Sequence, residues 1–366
     1  MRLDYASQSA HSIPMRAPLS LFLSALLCFA SALSAVARDV TFYLVSDAHV
    51  GMIYKQCEPA FTAEDYNQNV VRTLDALATL PGRPWPKQGP LAEAMKGKGT
   101  VPAPLAMIVA GDLTEVGSPA QWKDFDRLFP WQGEAPKRFP VIALAGNHDG
   151  GSKTGIIRQG LRDRNAAMLK AGLLAKLSAD GLHSAWVWQG VHFINANNYA
   201  GDVVKADAKP GSMWDPEKSL TFMKEYLASI SPGAPVVIVQ HLDYSERSTW
   251  WDQERRKAFY DVIKGYNVIA LLHGHTHAIT KLTFPEDKDY AAFGNGGPRF
   301  DCFSAGAFKR EGVIKGQPFP GPRNPCECYV FRITDDTFAA GHFTAGPDGW
   351  NSTPQAEALT VVKKIR

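Results

Sequence analysis

Five short pieces of this chain carry its chemistry: Asp47-Ala-His49, Gly111-Asp112, Gly146-Asn147-His148-Asp149, Gln240-His241 and Gly274-His275-Thr276-His277. They offer carboxylate, amide-oxygen and imidazole donors, the set that suits borderline divalent metals. Pooled, these donors suffice for two metal ions, with a histidine to spare for proton transfer. That is the equipment for metal-assisted hydrolysis of a phosphate ester. In a regular strand Asp47 and His49 would point the same way, as would His275 and His277, yet too far apart to share one ion easily. On a loop leaving a strand such pairs can converge, or serve neighbouring ions. Asp112 stands alone after its glycine and is the natural bridge, because its two oxygens can bind two cations. Two ions about 3.5–4 Å apart would polarise the phosphoryl oxygens and bind a bridging hydroxide as nucleophile. Asn147 offers a neutral oxygen ligand, and His148 is then free to protonate the leaving alkoxide.

The pieces need rigid supports, and each follows an apolar run that reads as a buried strand: 40–45, 105–110, 141–145, 236–239 and 268–272. Helical spacing covers 63–80, with Thr62 and Asp65 as a capping box, and helices are also expected at 119–129, 215–230 and 252–265. Residues 186–193 read as a hairpin turning at Gln189-Gly190. The Pro-, Gly- and Lys-rich stretch 81–104 reads as a surface excursion. Late β segments are expected at 328–334 and 337–343, around Asp335-Asp336. Strand–helix alternation followed by late strands means α/β with mixed sheets, and ligands at the carboxyl ends of strands fit that class. The 366 residues are 45% hydrophobic and 20% charged, and the ligand pieces run from 47 to 277, so one elaborated domain is expected. A formal charge of +3 gives no case for a nucleic-acid or membrane-surface partner.

Arg16, an uncharged apolar stretch over 17–36 and the small-residue site Ala35-Val36-Ala37 form a signal peptide. The mature chain is therefore expected to be 38–366, exported to the periplasm or outside the cell, with no membrane span left. Removing Cys28 leaves Cys57, Cys302, Cys326 and Cys328, an even number that suggests disulfides in an exported chain. Cys326 and Cys328 stand too far apart on a strand for an easy mutual bridge, so one of them is expected to pair with Cys302. A zinc site built from these thiols is the alternative.

Asp-x-His, Gly-Asp, Gly-Asn-His-Asp, a mid-chain His and Gly-His-x-His, in this order, resemble the calcineurin-like metallophosphoesterases over roughly residues 40–310. The resemblance implies a four-layer α/β/β/α sandwich of two mixed β-sheets with a dinuclear metal site at the strand ends. The β segments at 311–366 belong to the same domain. The resemblance also puts Asp47, His49 and His277 on one ion and Asn147, His241 and His275 on the other, with Asp112 bridging. The ions would be Mn, Fe or Zn. It makes His148 the general acid or a transition-state stabiliser. Three residues after the bridging Asp the family often has an Asp that orients this histidine; here Glu115 stands there, and either it or Asp149 could do that work. The Tyr that the purple acid phosphatases carry near that Asp is absent, which argues against a tyrosinate-coordinated iron.

Around this centre, Asn147 and His148 would also touch the substrate. The loop after His241, with Asp243, Tyr244, Arg247, Trp250 and Trp251, is expected to wall the pocket, Tyr244 and Trp250 foremost. His273 reads as a buried, hydrogen-bonded histidine, and His183, His192 and His342 as ordinary ones. Arg299, Lys309 and Arg310 read as solvated surface. The resulting expectation is an exported phosphatase acting on small phosphate monoesters. A phosphodiesterase acting on cyclic nucleotides, nucleotides or phospholipid headgroups is the alternative, with a metal-holding protein without turnover as the reading from another class.

Overall fold

A computed structural model describes residues 37–53, 62–134, 138–150, 155–203, 215–248, 251–305, 308, 313–314, 317–318, 326–346, 349–351 and 358–365. Its frame is a pair of mixed sheets. In the first, strands β1 (Asp39–Val45), β2 (Met107–Ala110) and β3 (Val141–Leu144) run parallel. On the other side of β1 lie the antiparallel late strands β13 (Cys326–Thr334), β14 (Thr337–Gly346), β15 (Gly349–Asn351) and β16 (Val361–Lys364). The second sheet has the order β4-β5-β6-β7-β8-β10-β9. These strands are β4 (Lys176–Leu177), β5 (Ser184–Trp188), β6 (Val191–Asn195), β7 (Val236–Val239), β8 (Val268–His273), β9 (Thr280–Phe284) and β10 (Phe300–Ser304). A separate short pair joins β11 (Val313–Ile314) to β12 (Gln317–Pro318).

Three cores make four layers. Alternate residues of β1 point oppositely: Val40, Phe42 and Leu44 meet Phe193, Val237 and Val239 of the second sheet. Tyr43 and Val45 meet the outer helices. A strand buried on both faces reads as a continuous apolar run, which is why β1 was legible as one. Between the sheets, Phe42 stacks on Phe331 of β13 at 4.6 Å, so the late strands complete this core. The outer face of the first sheet carries α1 (Ala63–Ala78), α2 (Gly89–Ala94), α3 (Pro119–Leu128) and α4 (Ile156–Lys170). The outer face of the second carries α5 (Ser219–Ala228) and α6 (Gln253–Ile263), while α7 (Asp287–Ala292) lies between β9 and β10 in the chain.

Local signals were followed closely. Thr62 and Asp65 form the capping box of α1, and Asp252 caps α6. Gln189 and Gly190 both adopt positive φ, the type I′ geometry that a two-residue hairpin loop demands. The helix expected over 215–230 is shorter, with Lys218 at its cap.

Two expectations need correction. The stretch 81–104 is more than a surface excursion: much of it is exposed, but it contains α2, and Trp85, Leu91, Met95 and Val101 join the outer core of the first sheet. Cys302 forms no disulfide; it and Cys328 are free, buried thiols. They point into the opposite outer cores, with both sheets between them, so they cannot bridge. Cys57 and the segment 1–36 lie outside the described residues. Among the described residues no helix is long and apolar enough to cross a membrane.

Candidate metal centre

The five pieces converge where strands of both sheets end. Asp47 and His49 follow β1, Asp112 follows β2, Asn147 and His148 follow β3, His241 follows β7, and His275 and His277 follow β8. Backbone hydrogen bonds continue the sheets into these loops: Asp47 N donates to Gly111 O at 3.0 Å, and His49 N to Asp112 O at 2.9 Å. Asp47, His49, Asp112, His275 and His277 all have φ between 43° and 68°, the left-handed region. Such backbone is costly for these residues and gathers at functional sites. Here it answers the spacing problem: the alternate pairs no longer project as in a strand. Asp47 and His49 turn onto His277, while His275 reaches a second group.

The first group is Asp47, His49, Asp112 and His277, and the second is Asp112, His241 and His275. His49 Nε2 lies 3.1 Å from His277 Nε2, and His277 Nε2 lies 3.2 Å from Asp47 Oδ1. In the second group, Asn147 Oδ1 lies 3.0 Å from His241 Nε2 and 2.9 Å from His275 Nδ1. Asp112 Oδ2 faces both groups, 3.7 Å from His49 Nε2 and 3.3 Å from His241 Nε2. All these spacings fall below about 4.2 Å, the widest that two donors each about 2.1 Å from one ion can have.

Proton bookkeeping shows that the donors fit a cation. His241 Nδ1 is 2.8 Å from Ala110 O, and a carbonyl can only accept, so Nδ1 carries the proton. Neutral His241 then turns a lone pair at Nε2 toward two further acceptors, Asn147 Oδ1 and Asp112 Oδ2. Asp112 Oδ2 is buried without a hydrogen-bond donor. Only positive charge resolves such a cluster of acceptors. Without a metal, a proton must serve. Burial pushes His241 down, but the Asp112 carboxylate beside it outweighs burial and raises the imidazole to about 9. Burial likewise pushes the Asp47 and Asp112 carboxyls up. His277 for the first and His241 for the second override it and hold both below the ordinary carboxylate range. Burial and His241 bring His275 down to about 4.

The supporting residues differ in part from expectation. The Glu115 carboxylate sits 2.8 Å from His49 Nδ1 and 3.9 Å from His148 Nδ1. What holds His148 is the Glu115 backbone carbonyl, which accepts from Nδ1 at 2.7 Å. Asp149 does not orient His148 either. It is buried and accepts from Leu113 N, Thr114 N, Thr114 Oγ1 and Gly146 N at 2.9–3.0 Å, tying two ligand loops together. Burial first, then the Asp112 charge, raises its carboxyl to about 6. Gly111 (φ +86°) and Gly146 are required for close approach: a Cβ at the first would overlap the His241 ring and at the second Asp112. Ser46, absent from the sequence-based set, donates through Oγ to Asp47 Oδ2. No spacing rule would have marked it.

Tyr244 does not wall a pocket. It is fully buried, packed against Trp251, Phe259 and Phe284 in the outer core of the second sheet. Trp251 is equally buried. Trp250, Lys309 and Arg310 lie outside the described residues. Arg299 pairs with Asp287 on the surface, as expected. His273 is fully buried, its Nδ1 donating to Gly274 O at 3.0 Å.

A family-wide sequence model of calcineurin-like phosphoesterases matches residues 40–278. The chain belongs to the calcineurin-like phosphoesterase family. It is a metal-dependent phosphoester hydrolase, and the Asp/His cluster is the place for its divalent metal centre. No curated protein matches the chain. Among solved structures it resembles TT1561 of Thermus thermophilus at 10% identity and a TM-score of 0.39, covering 75% of this chain and 94% of that one. It also resembles the phosphopantetheinyl hydrolase PptH of Mycobacterium tuberculosis at 15% identity and a TM-score of 0.35, with coverage of 74% and 91%. A third likeness is the NAD nucleotidase NadN of Haemophilus influenzae, at 10% identity and a TM-score of 0.36, with coverage of 88% and 55%.

Proposed function

We propose that the chain is an exported, dinuclear phosphatase of small phosphate monoesters. One observation carries the two-ion reading. The donorless Asp112 Oδ2 lies between His49 Nε2 and His241 Nε2, at 3.7 and 3.3 Å. Asp47, His49 and His277 would hold one ion and Asn147, His241 and His275 the other, with Asp112 shared between them. Bound ions supply Lewis-acid polarisation of the phosphoryl oxygens and an activated water. The chain supplies the rest. The Ala110 carbonyl fixes the tautomer of His241, and the Glu115 carboxylate orients His49, as outer partners of metal-bound histidines do. His148, 37% exposed at the rim, commits Nδ1–H to Glu115 O, so Nε2 is the ring atom left to hand a proton to the leaving alkoxide.

The monoester reading gains support from two segments that could have widened the pocket for a diester, the aromatic loop after His241 and the stretch 81–104. Tyr244 and Trp251 are core, and 81–104 packs onto the first sheet. Export rests on the apolar N-terminal segment and on β1 beginning at Asp39, just past the proposed cleavage after Ala37. The test is hydrolysis by residues 38–366 with added manganese, using a nitrophenyl phosphate monoester beside the bis-nitrophenyl diester. Faster monoester turnover is expected. Faster diester turnover would replace this reading with the phosphodiesterase one. A His148→Ala variant retaining full rate on a monoester with a poor leaving group would remove His148 from the acid role.

A further inference from the structure

Asn197 belongs to no ligand motif, yet it is where the two halves of the second donor group meet. It follows β6 in the second sheet, is 6% exposed and has φ 53°. Its side-chain oxygen crosses to the first sheet and accepts from Ala145 N at 2.9 Å, two residues before Asn147. Its backbone carbonyl accepts from His241 N at 2.7 Å. The amide cannot turn around. His183 Nε2 lies 3.1 Å from Glu217 O and must carry a proton there, which leaves Nδ1 of the neutral ring as an acceptor. Burial keeps that ring neutral by lowering its pKa. Asn197 Nδ2 meets His183 Nδ1 at 3.2 Å and Leu182 O at 2.7 Å, both acceptors. The oxygen is therefore forced onto Ala145 N.

We propose that Asn197 is the positioning residue of the second metal position, holding the Asn147 loop and His241 at one spacing so that their donors close on a single ion. This rests on the two-ion reading above. Outer residues that fix metal ligands are commonly worth 10–100-fold in metal affinity.

The test is Mn2+ titration of the purified chain 38–366, followed by electron paramagnetic resonance, which distinguishes free Mn2+, a lone bound ion and a spin-coupled pair. The wild type is expected to bind two ions per chain. Asn197→Gly keeps the left-handed backbone and removes the oxygen. It should bind its first ion as the wild type does and its second about 10–100-fold more weakly, without the coupled signature. Asn197→Ser, whose shorter hydroxyl cannot span to Ala145 N, is held to the same outcome should the glycine variant not fold. No weakening, or equal weakening of both ions in a folded variant, would overturn the proposal. A wild type that binds fewer than two ions would instead overturn the two-ion reading itself.

Discussion

Replacing Glu115 by alanine separates two roles that its position in the sequence confuses. The carboxylate lies 2.8 Å from His49 Nδ1, whereas His148 Nδ1 is held at 2.7 Å by the Glu115 backbone carbonyl, which alanine retains. The variant should therefore weaken the grip on the ion next to His49 and leave His148 in place. Loss of such an outer partner costs about 10–100-fold in metal affinity, or about 1.4–2.7 kcal/mol. The Glu115 side chain is 25% exposed, so solvent screens the pair and the lower end, about tenfold, is expected. The assay is nitrophenyl phosphate hydrolysis across a Mn2+ series and a pH series. The half-saturating Mn2+ concentration should rise about tenfold. Turnover at saturating metal, and the shape of its pH profile, should stay close to wild type. An unchanged Mn2+ dependence with turnover reduced about 100-fold, the scale of a lost general acid, would refute this division and put the carboxylate on His148.

Three further outcomes follow from the same geometry. Gly111→Ala places a side chain in left-handed backbone and against the His241 ring. It should cost about 1–2 kcal/mol for the backbone and about 1 kcal/mol for the strained His241–Ala110 hydrogen bond, with loss of one bound ion; urea melts and metal content check both. His342 is buried on β14, outside the ligand loops, and burial lowers its pKa from 6.5 to about 4. The unfolded chain then takes up the proton first, so stability should fall as pH drops from about 6.5 to about 4, by up to about 3 kcal/mol. His342→Asn should flatten that stretch of the pH–stability curve; parallel curves for the two proteins would contradict it. Asp289→Ala strands the guanidinium of Arg256, which is paired with Asp289 at 2.5 and 3.1 Å. It should destabilise by about 3–5 kcal/mol in denaturant melts, whereas Arg256→Met with Asp289→Leu should recover most of the loss.

The strands and the ligand set were legible because both depend on local pattern. A strand buried on two faces is apolar at every position, and a metal loop places donors beside glycines that let the backbone approach. What stayed hidden depends on distant partners. The left-handed turns at Asp47, His49, Asp112, His275 and His277 arise where loops of both sheets meet, and no spacing records them. The burial of Tyr244 and Trp251 needs Phe259 of α6 and Phe284 of β9, so an aromatic loop beside a ligand reads as a pocket wall until those elements are in place. Trp85, Leu91, Met95 and Val101 sit among Pro, Gly and Lys residues that mark a surface stretch by composition, yet the first sheet needs them as cover. The cysteines obey the same logic: Cys302 and Cys328 look pairable by number and fall in opposite layers. Asn197 leaves no signal beyond a run of asparagines at the end of an apolar strand.

The most direct test of the two-ion centre is the metal content and activity of the chain 38–366 beside Asp112→Asn, both stripped with a chelator and reloaded with Mn2+. Asp112 Oδ2 is the one donor shared by both groups, so the variant should lose at least one of two ions and nearly all hydrolysis while keeping its fold by circular dichroism. A folded Asp112→Asn that retains two Mn2+ per chain and wild-type turnover would contradict the account.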